Sequence, residues 1–344
     1  MSGVLLTGAT TPYGRALARG LLAEPGLCPV LAVGAESNEE AARLLPADPR
    51  LTYVRADLTR PRDLQTLLGG PARELGLRAV VHGAWHRRAA DAGRKIRQLN
   101  VDSTRELLRL SEEHPTIDHF VFRSYADVYR IDPDEPVLIA EEHPLRLVGG
   151  MPQIERDRLE ADVTVCMRMG MSRLSIAVLR FAELLAPASG SQLFDYLSSK
   201  VCFRPIGFDP MLSLLSIDDA VSATLAALRS PRAVDGAAPR GGLGEGPRPT
   251  GIFNIVGRDV LPLSRAVELA RRVSIPVPGP LLRPLYGLRQ RAIHAEFRYD
   301  LNALRFHLSG VLDGRRARDV LGYVPRVPID WEAIAQTAGA SRRP

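Results

Sequence analysis

Apolar residues in the first half of the chain gather into short runs at 4–7, 30–33, 51–54, 79–82, 120–122 and 176–179. Each run is too short for a helix and is bounded by glycine, proline or charge, the mark of strands buried on both faces. Between them, apolar residues recur every three or four positions, as over 99–110 and 154–167, which predicts amphipathic helices. Strand and helix therefore alternate, and alternation predicts an α/β fold: a doubly wound parallel sheet with helices on both faces. After Pro187 the elements shorten. A strand over 212–215 leads into a helix starting at Asp218 and Asp219, a further strand spans 252–256, and a helix spans 263–273 with Ser264 helping to start it. Residues 231–251, rich in glycine and proline, are expected to form a flexible surface loop. Two units follow: 1–185 with about 212–230, and a smaller C-terminal unit of 186–211 and 231–340.

The first strand runs into Gly8-Ala9-Thr10-Thr11-Pro12-Tyr13-Gly14. This has the form of a dinucleotide-binding turn with Thr11 where its middle glycine should stand. In such turns the first glycine permits the bend, the second admits the pyrophosphate and the third lets helix pack on strand. Thr11 suits an N-cap and Pro12 the first helical position. A capping hydroxyl occupies N–H groups that a phosphate would recruit, so weakened phosphate binding is expected.

Composition narrows the class. With 344 residues and 45% hydrophobic content the chain can bury one large core or two unequal ones. Cys28, Cys166 and Cys202 are scattered without zinc or redox spacing, and no histidine and carboxylate set has ligand spacing, so no metal is expected. A reducing, cytoplasmic setting is expected. No secretory leader is expected either, because the first apolar residues already form a strand, and no run approaches the ~18 residues of a membrane span. The net charge of +6 rests almost wholly on arginine, Lys95 and Lys200 being the only lysines. That bias, without aromatic interleaving or a reading motif, argues against a nucleic-acid partner.

Further segments stand in a telling order: Ala56-Asp57-Leu58, Val80-Val81-His82-Gly83-Ala84, Asn100-Val101-Asp102, Phe120 to Tyr129, Leu179-Arg180-Phe181, Ser216 to Ala220, Phe253-Asn254-Ile255-Val256 and Leu321 to Pro325. With the glycine turn they make almost the whole chain resemble the extended short-chain dehydrogenases/reductases, the NAD-dependent epimerase and dehydratase family. The resemblance implies a Rossmann-type domain, a C-terminal substrate domain, a homodimer, and NAD or NADP held by Gly8, Thr10, Thr11, Tyr13, Gly14, Asp57, Leu58, Gly83 and Ala84. Glu36, after the second strand, either reaches the ribose or is solvated at the start of the next helix.

The family's reaction needs a tyrosine acid, a lysine one helical turn later and a substrate-orienting serine or threonine. Here the serine position falls on Tyr125, beside Ser124, and the tyrosine and lysine positions, counted from Glu160, fall on Pro152 and Arg156. No tyrosine or lysine occurs between Arg130 and Asp195. Tyr196 and Lys200 have the right spacing but lie where the substrate domain begins. The implied function is a catalytically impaired NAD(P)-binding protein acting by ligand binding, regulation or scaffolding, its small-molecule ligand unknown. A first alternative is a working oxidoreductase or epimerase with Tyr125 as acid, supported by Ser124, Asn100 and Arg156. A second is a membrane-surface or protein contact through residues 276–291. His82, His86, Arg87 and Arg88, with Arg123, also suggest an anion pocket, His82 being the more structural of them.

Overall fold

The computed structural model describes residues 3–229, 248–293 and 296–337; most of the expected loop, 231–247, lies outside them. Its strands are β1 (Val4–Thr7), β2 (Val30–Gly34), β3 (Leu51–Arg55), β4 (Ala79–His82), β5 (His119–Tyr125), β6 (Leu138–Ile139), β7 (Ser175–Phe181), β8 (Glu183–Leu184), β9 (Val201–Pro205), β10 (Met211–Leu215), β11 (Gly251–Ile255), β12 (Val260–Pro262), β13 (Val273–Val277) and β14 (Val311–Leu312).

Seven strands form one parallel sheet in the order β11-β7-β5-β4-β1-β2-β3. The chain winds outward from β1 to β3 and then the other way from β4, so the order reverses between β1 and β4, where such sheets open a crevice at their carboxyl ends. β1, β2 and β4 are buried at every position because helices cover both faces. One face packs on the helices Pro12–Leu22 and Ile217–Leu228 through Leu17, Leu21, Ala220 and Ala223. The other packs on Pro61–Leu67, Ser103–Glu113 and Gln153–Cys166 through Leu64, Leu107, Leu108 and Ala161.

The smaller unit has its own core, in which Tyr196, Tyr286, Phe297, Tyr299 and Phe306 pack ring to ring. β9 pairs with β13, and β10 lies between β8 and β12. The division expected from sequence changes in two places. β11, assigned there to the smaller unit, returns to the large sheet and pairs with β7 over five residues. β10, assigned to the large unit, leaves it for the three-stranded sheet. The expected helix 263–273 stops at Leu269, and Val273 already begins β13.

Residues 276–291 are built into the smaller unit: Leu282 and Tyr286 of the helix Gly279–Ile293 are buried, and Arg289 donates to the Val201 carbonyl at 2.6 Å. Leu281 and Leu288 remain exposed. Among the described residues no helix is long and apolar enough to cross a membrane.

Candidate functional site

The glycine turn is closed tightly. Gly8 has φ +70°, and a Cβ there would stand 2.9 Å from the Ala84 and Gly83 backbone. A Cβ on Gly14 would meet the Gly8 carbonyl oxygen at 2.1 Å, so neither position tolerates a side chain. Thr11 caps the helix as expected: its hydroxyl accepts the Gly14 N–H at 3.0 Å and donates to the Gly8 carbonyl at 2.8 Å. Pro12 offers no N–H, so this helix start has fewer amides for an anion.

Beside the turn, Thr10 donates to the Glu36 carboxylate at 2.7 Å, and Tyr53 donates to the Glu36 carbonyl at 2.8 Å. The carboxylate is thereby folded back over Gly34 instead of extending into solvent. Asp57 accepts from the Thr59 N–H and hydroxyl, with Leu58 buried next to it. Gly83 and Ala84 donate their N–H groups to the Thr7 hydroxyl at 3.2 and 3.4 Å. The same hydroxyl meets His82, whose other ring nitrogen meets Thr104; burial pushes His82 down to about 4. His82 is a structural histidine.

The residues considered for catalysis do not converge. Ser124 is buried and donates to Asp162 at 2.5 Å, and Asp162 is gripped by Arg180 at 2.6 and 3.0 Å. Its hydroxyl is thus spent in the core beneath the crevice. Asn100, also buried, accepts the His86 N–H at 3.0 Å and donates to Asp157 at 3.2 Å, tying the segment after β4 to the helix Gln153–Cys166. Pro152 precedes that helix, and Arg156 is exposed on it. The arginine that the helix turns inward is Arg158, two residues later, because the buried Asp162 and Arg180 pair fixes which face points to the sheet. Tyr196 is enclosed in the aromatic core of the smaller unit and donates to the Phe203 carbonyl, while Lys200 is exposed.

Between the units lies a cavity of about 150 Å³. Arg123, Tyr125, Asp127, Phe181 and the helix residues Ile154, Glu155 and Arg158 close it on the sheet side; Ser191, Met211, Arg305 and Phe306 line the other. Arg158 pairs with Asp127, and its guanidinium lies 3.9 Å from the Tyr125 ring centroid, over the face of the ring. The grouped histidine and arginines after β4 disperse: His86 bonds Asp91 at 2.8 Å, Arg87 donates to the Ala188 carbonyl and Arg88 pairs with Glu296. Of that group only Arg123 reaches the cavity. Arg158, Glu155, Arg146 and Phe181, which also line it, went unremarked as site residues in the sequence. An arginine inside the apolar β5 run was the visible signal for Arg123.

Arg123 also packs against the tyrosine of the glycine turn. Its guanidinium carbon lies 5.4 Å from the Tyr13 ring centroid, 4.8 Å from that of Tyr125 and 5.6 Å from that of Phe181, and Tyr13 meets Phe181 edge to face at 5.6 Å. Tyr13 is anchored from behind by Thr224 at 2.7 Å. Glu36 and Asp57, beside the bare backbone at Gly8, are the residues that would hold the ribose of a bound dinucleotide.

No family model matches the sequence. An uncharacterized protein of Mycobacterium tuberculosis and one of Mycobacterium bovis are each 30% identical over 332 residues, covering 94% of this chain and 80% of theirs. Among solved structures, a dTDP-glucose 4,6-dehydratase of Bacillus anthracis in complex with NAD has a TM-score of 0.66 at 15% identity, covering 98% of this chain and 96% of that one. A UDP-glucuronic acid 4-epimerase of Bacillus cereus in complex with NAD has a TM-score of 0.66 at 17% identity, covering 97% and 99%. The enzyme WbmG of Bordetella bronchiseptica, in complex with NAD, reaches 0.68 at 15%, covering 98% and 95%. The chain belongs to one family with the uncharacterized mycobacterial proteins, and it shares the fold of the NAD-complexed dehydratase and epimerase structures.

Proposed function

We propose that this protein binds the adenosine half of an NAD-type dinucleotide at the glycine turn and a separate small molecule in the cavity, without the hydride chemistry of its fold relatives. It acts on this reading as a ligand-binding or regulatory protein. The observation that carries it is the inward face of the helix Gln153–Cys166, which presents Ile154, Glu155 and Arg158 where the reaction needs a tyrosine and a lysine. The Tyr13, Arg123 and Phe181 cluster adds a second support, since it packs large buried side chains beside the cavity. What this chain's residues do is bind and orient: Glu36 receives ribose hydroxyls, and its charge disfavours a 2′-phosphate. A bound nicotinamide would supply hydride transfer, for which no proton donor is positioned here.

Calorimetric titration with NAD⁺, NADH, NADP⁺ and NADPH, together with a turnover assay on nucleotide sugars, tests this reading. Binding of NAD⁺ or NADH without turnover is expected. Cofactor-dependent turnover that Tyr125→Phe abolishes would replace it with the working enzyme whose acid is Tyr125.

A further inference from the structure

Four arginines line the cavity, Arg123, Arg146, Arg158 and Arg305, against three carboxylates, Asp127, Glu155 and Glu183. Arg146 pairs with Glu155 at 2.7 Å, Arg158 with Asp127, and Arg305 with Glu183 at 3.4 Å and Asp127 at 3.9 Å. That leaves Arg123 as the unmatched charge. It is only 6% exposed, its Nε is buried without a hydrogen-bond partner, and no carboxylate among the described residues lies within ion-pair distance. A guanidinium largely withdrawn from water, with aromatic rings beside it and no carboxylate, is costly, because ring faces replace a small part of its lost hydration. Arrangements of this kind persist where a ligand completes them.

The remaining wall indicates the rest of the ligand. Ile131, Ile154, Leu184, Leu193, Met211 and Phe306 make most of it apolar. The cavity is partly open, and its inner room of about 150 Å³ is enough for a body the size of benzene. A nucleotide sugar brings two negative charges to a site with one to spare.

We propose that the cavity binds a small organic monocarboxylate with an apolar body of about one aromatic ring, its carboxylate on the Arg123 guanidinium. This rests on the reading that the cavity is a ligand site and names the chemical class it takes. The planar fork of arginine pairs with both carboxylate oxygens, and the low dielectric of the aromatic surroundings strengthens that pairing. The three internal ion pairs hold the other arginines away from the ligand, so one guanidinium sets the selectivity for a single negative charge.

The test is calorimetry and thermal unfolding of the full chain with benzoate, its neutral isostere benzamide, and inorganic phosphate. Benzoate should bind saturably and raise the melting temperature, with benzamide weaker by about tenfold or more, in line with a lost charge-assisted hydrogen bond. Arg123→Met should erase that preference and raise the melting temperature of the free protein, since it removes an unpaired buried charge. Equal binding of benzoate and benzamide, phosphate binding as tight as benzoate, or a benzoate preference surviving in Arg123→Met would each overturn the proposal. So would a fall in the melting temperature of Arg123→Met with benzoate binding unchanged, the result expected of a packing arginine. Should that variant fail to fold, the ratio of benzoate to benzamide in the unaltered protein decides. Failure here is separate from failure of the preceding reading: turnover with NAD overturns that one, whereas a missing benzoate preference without turnover overturns only this one.

Discussion

The Thr11 hydroxyl accepts the Gly14 N–H at 3.0 Å, so a side chain stands where the dinucleotide turn would offer bare backbone. Thr11→Ala should cost about 1 kcal/mol of unfolding free energy through the lost cap, and Thr11→Gly only a few tenths. Thr11→Gly should also tighten NAD⁺ binding by roughly fivefold, because freed amides at a helix start favour phosphate by about 1 kcal/mol. Urea unfolding and calorimetry on the two variants read these effects separately.

Arg156 and Arg158 should behave oppositely. Arg156 is exposed, and Arg156→Leu should change stability by less than about 0.5 kcal/mol. Arg158→Leu leaves Asp127 largely buried without its closest partner and should cost about 3 kcal/mol or more. Equal urea midpoints for the two variants would contradict the inward face assigned to this helix.

Beneath the crevice, Asp162 serves Arg180 and Ser124 at once. Asp162→Asn should destabilise by about 3–5 kcal/mol, since it strands a buried guanidinium, while joint replacement of Asp162 and Arg180 by Leu and Met should recover much of the loss. A double-mutant cycle in urea measures the coupling.

Stability should also rise with pH in the acid range. His82 is buried and pushed from about 6.5 down to about 4. Between those values the unfolded chain binds a proton that the folded protein does not, so folding weakens as pH falls through that window and is fully supported above it. The contribution is about 3 kcal/mol. His119, which burial above all pushes down to about 3, adds in the same direction. Urea midpoints from pH 4.5 to 7 should therefore climb, and His82→Gln should reduce the slope without abolishing it.

The sheet was legible because its signals are local. Buried strands such as Val4–Thr7 and Ala79–His82 are apolar throughout, and the Thr11 cap and Gly8 bend follow from residue chemistry at one turn. The inward face of the helix Gln153–Cys166 was not legible by counting from Glu160. It depends on Asp162 finding Arg180, eighteen positions along the chain, and that pairing turns Arg158 inward and leaves Arg156 in solvent. β11 was misassigned for a similar reason: only its pairing with β7 shows that the chain returns to the large sheet. Ser124 and Asn100 read in the sequence as catalytic support, but sequence carries no information on which partner consumes each hydrogen bond, here Asp162 and Asp157.

On the reading proposed above, the Tyr13, Arg123 and Phe181 cluster is a side-chain contact shared by two tenants, the dinucleotide at the turn and the ligand in the cavity. If occupancy on one side shifts the stack, the other side must respond by the same factor, because the free energy of the doubly occupied state does not depend on the order of filling. Such a shared contact would make each ligand report the presence of the other.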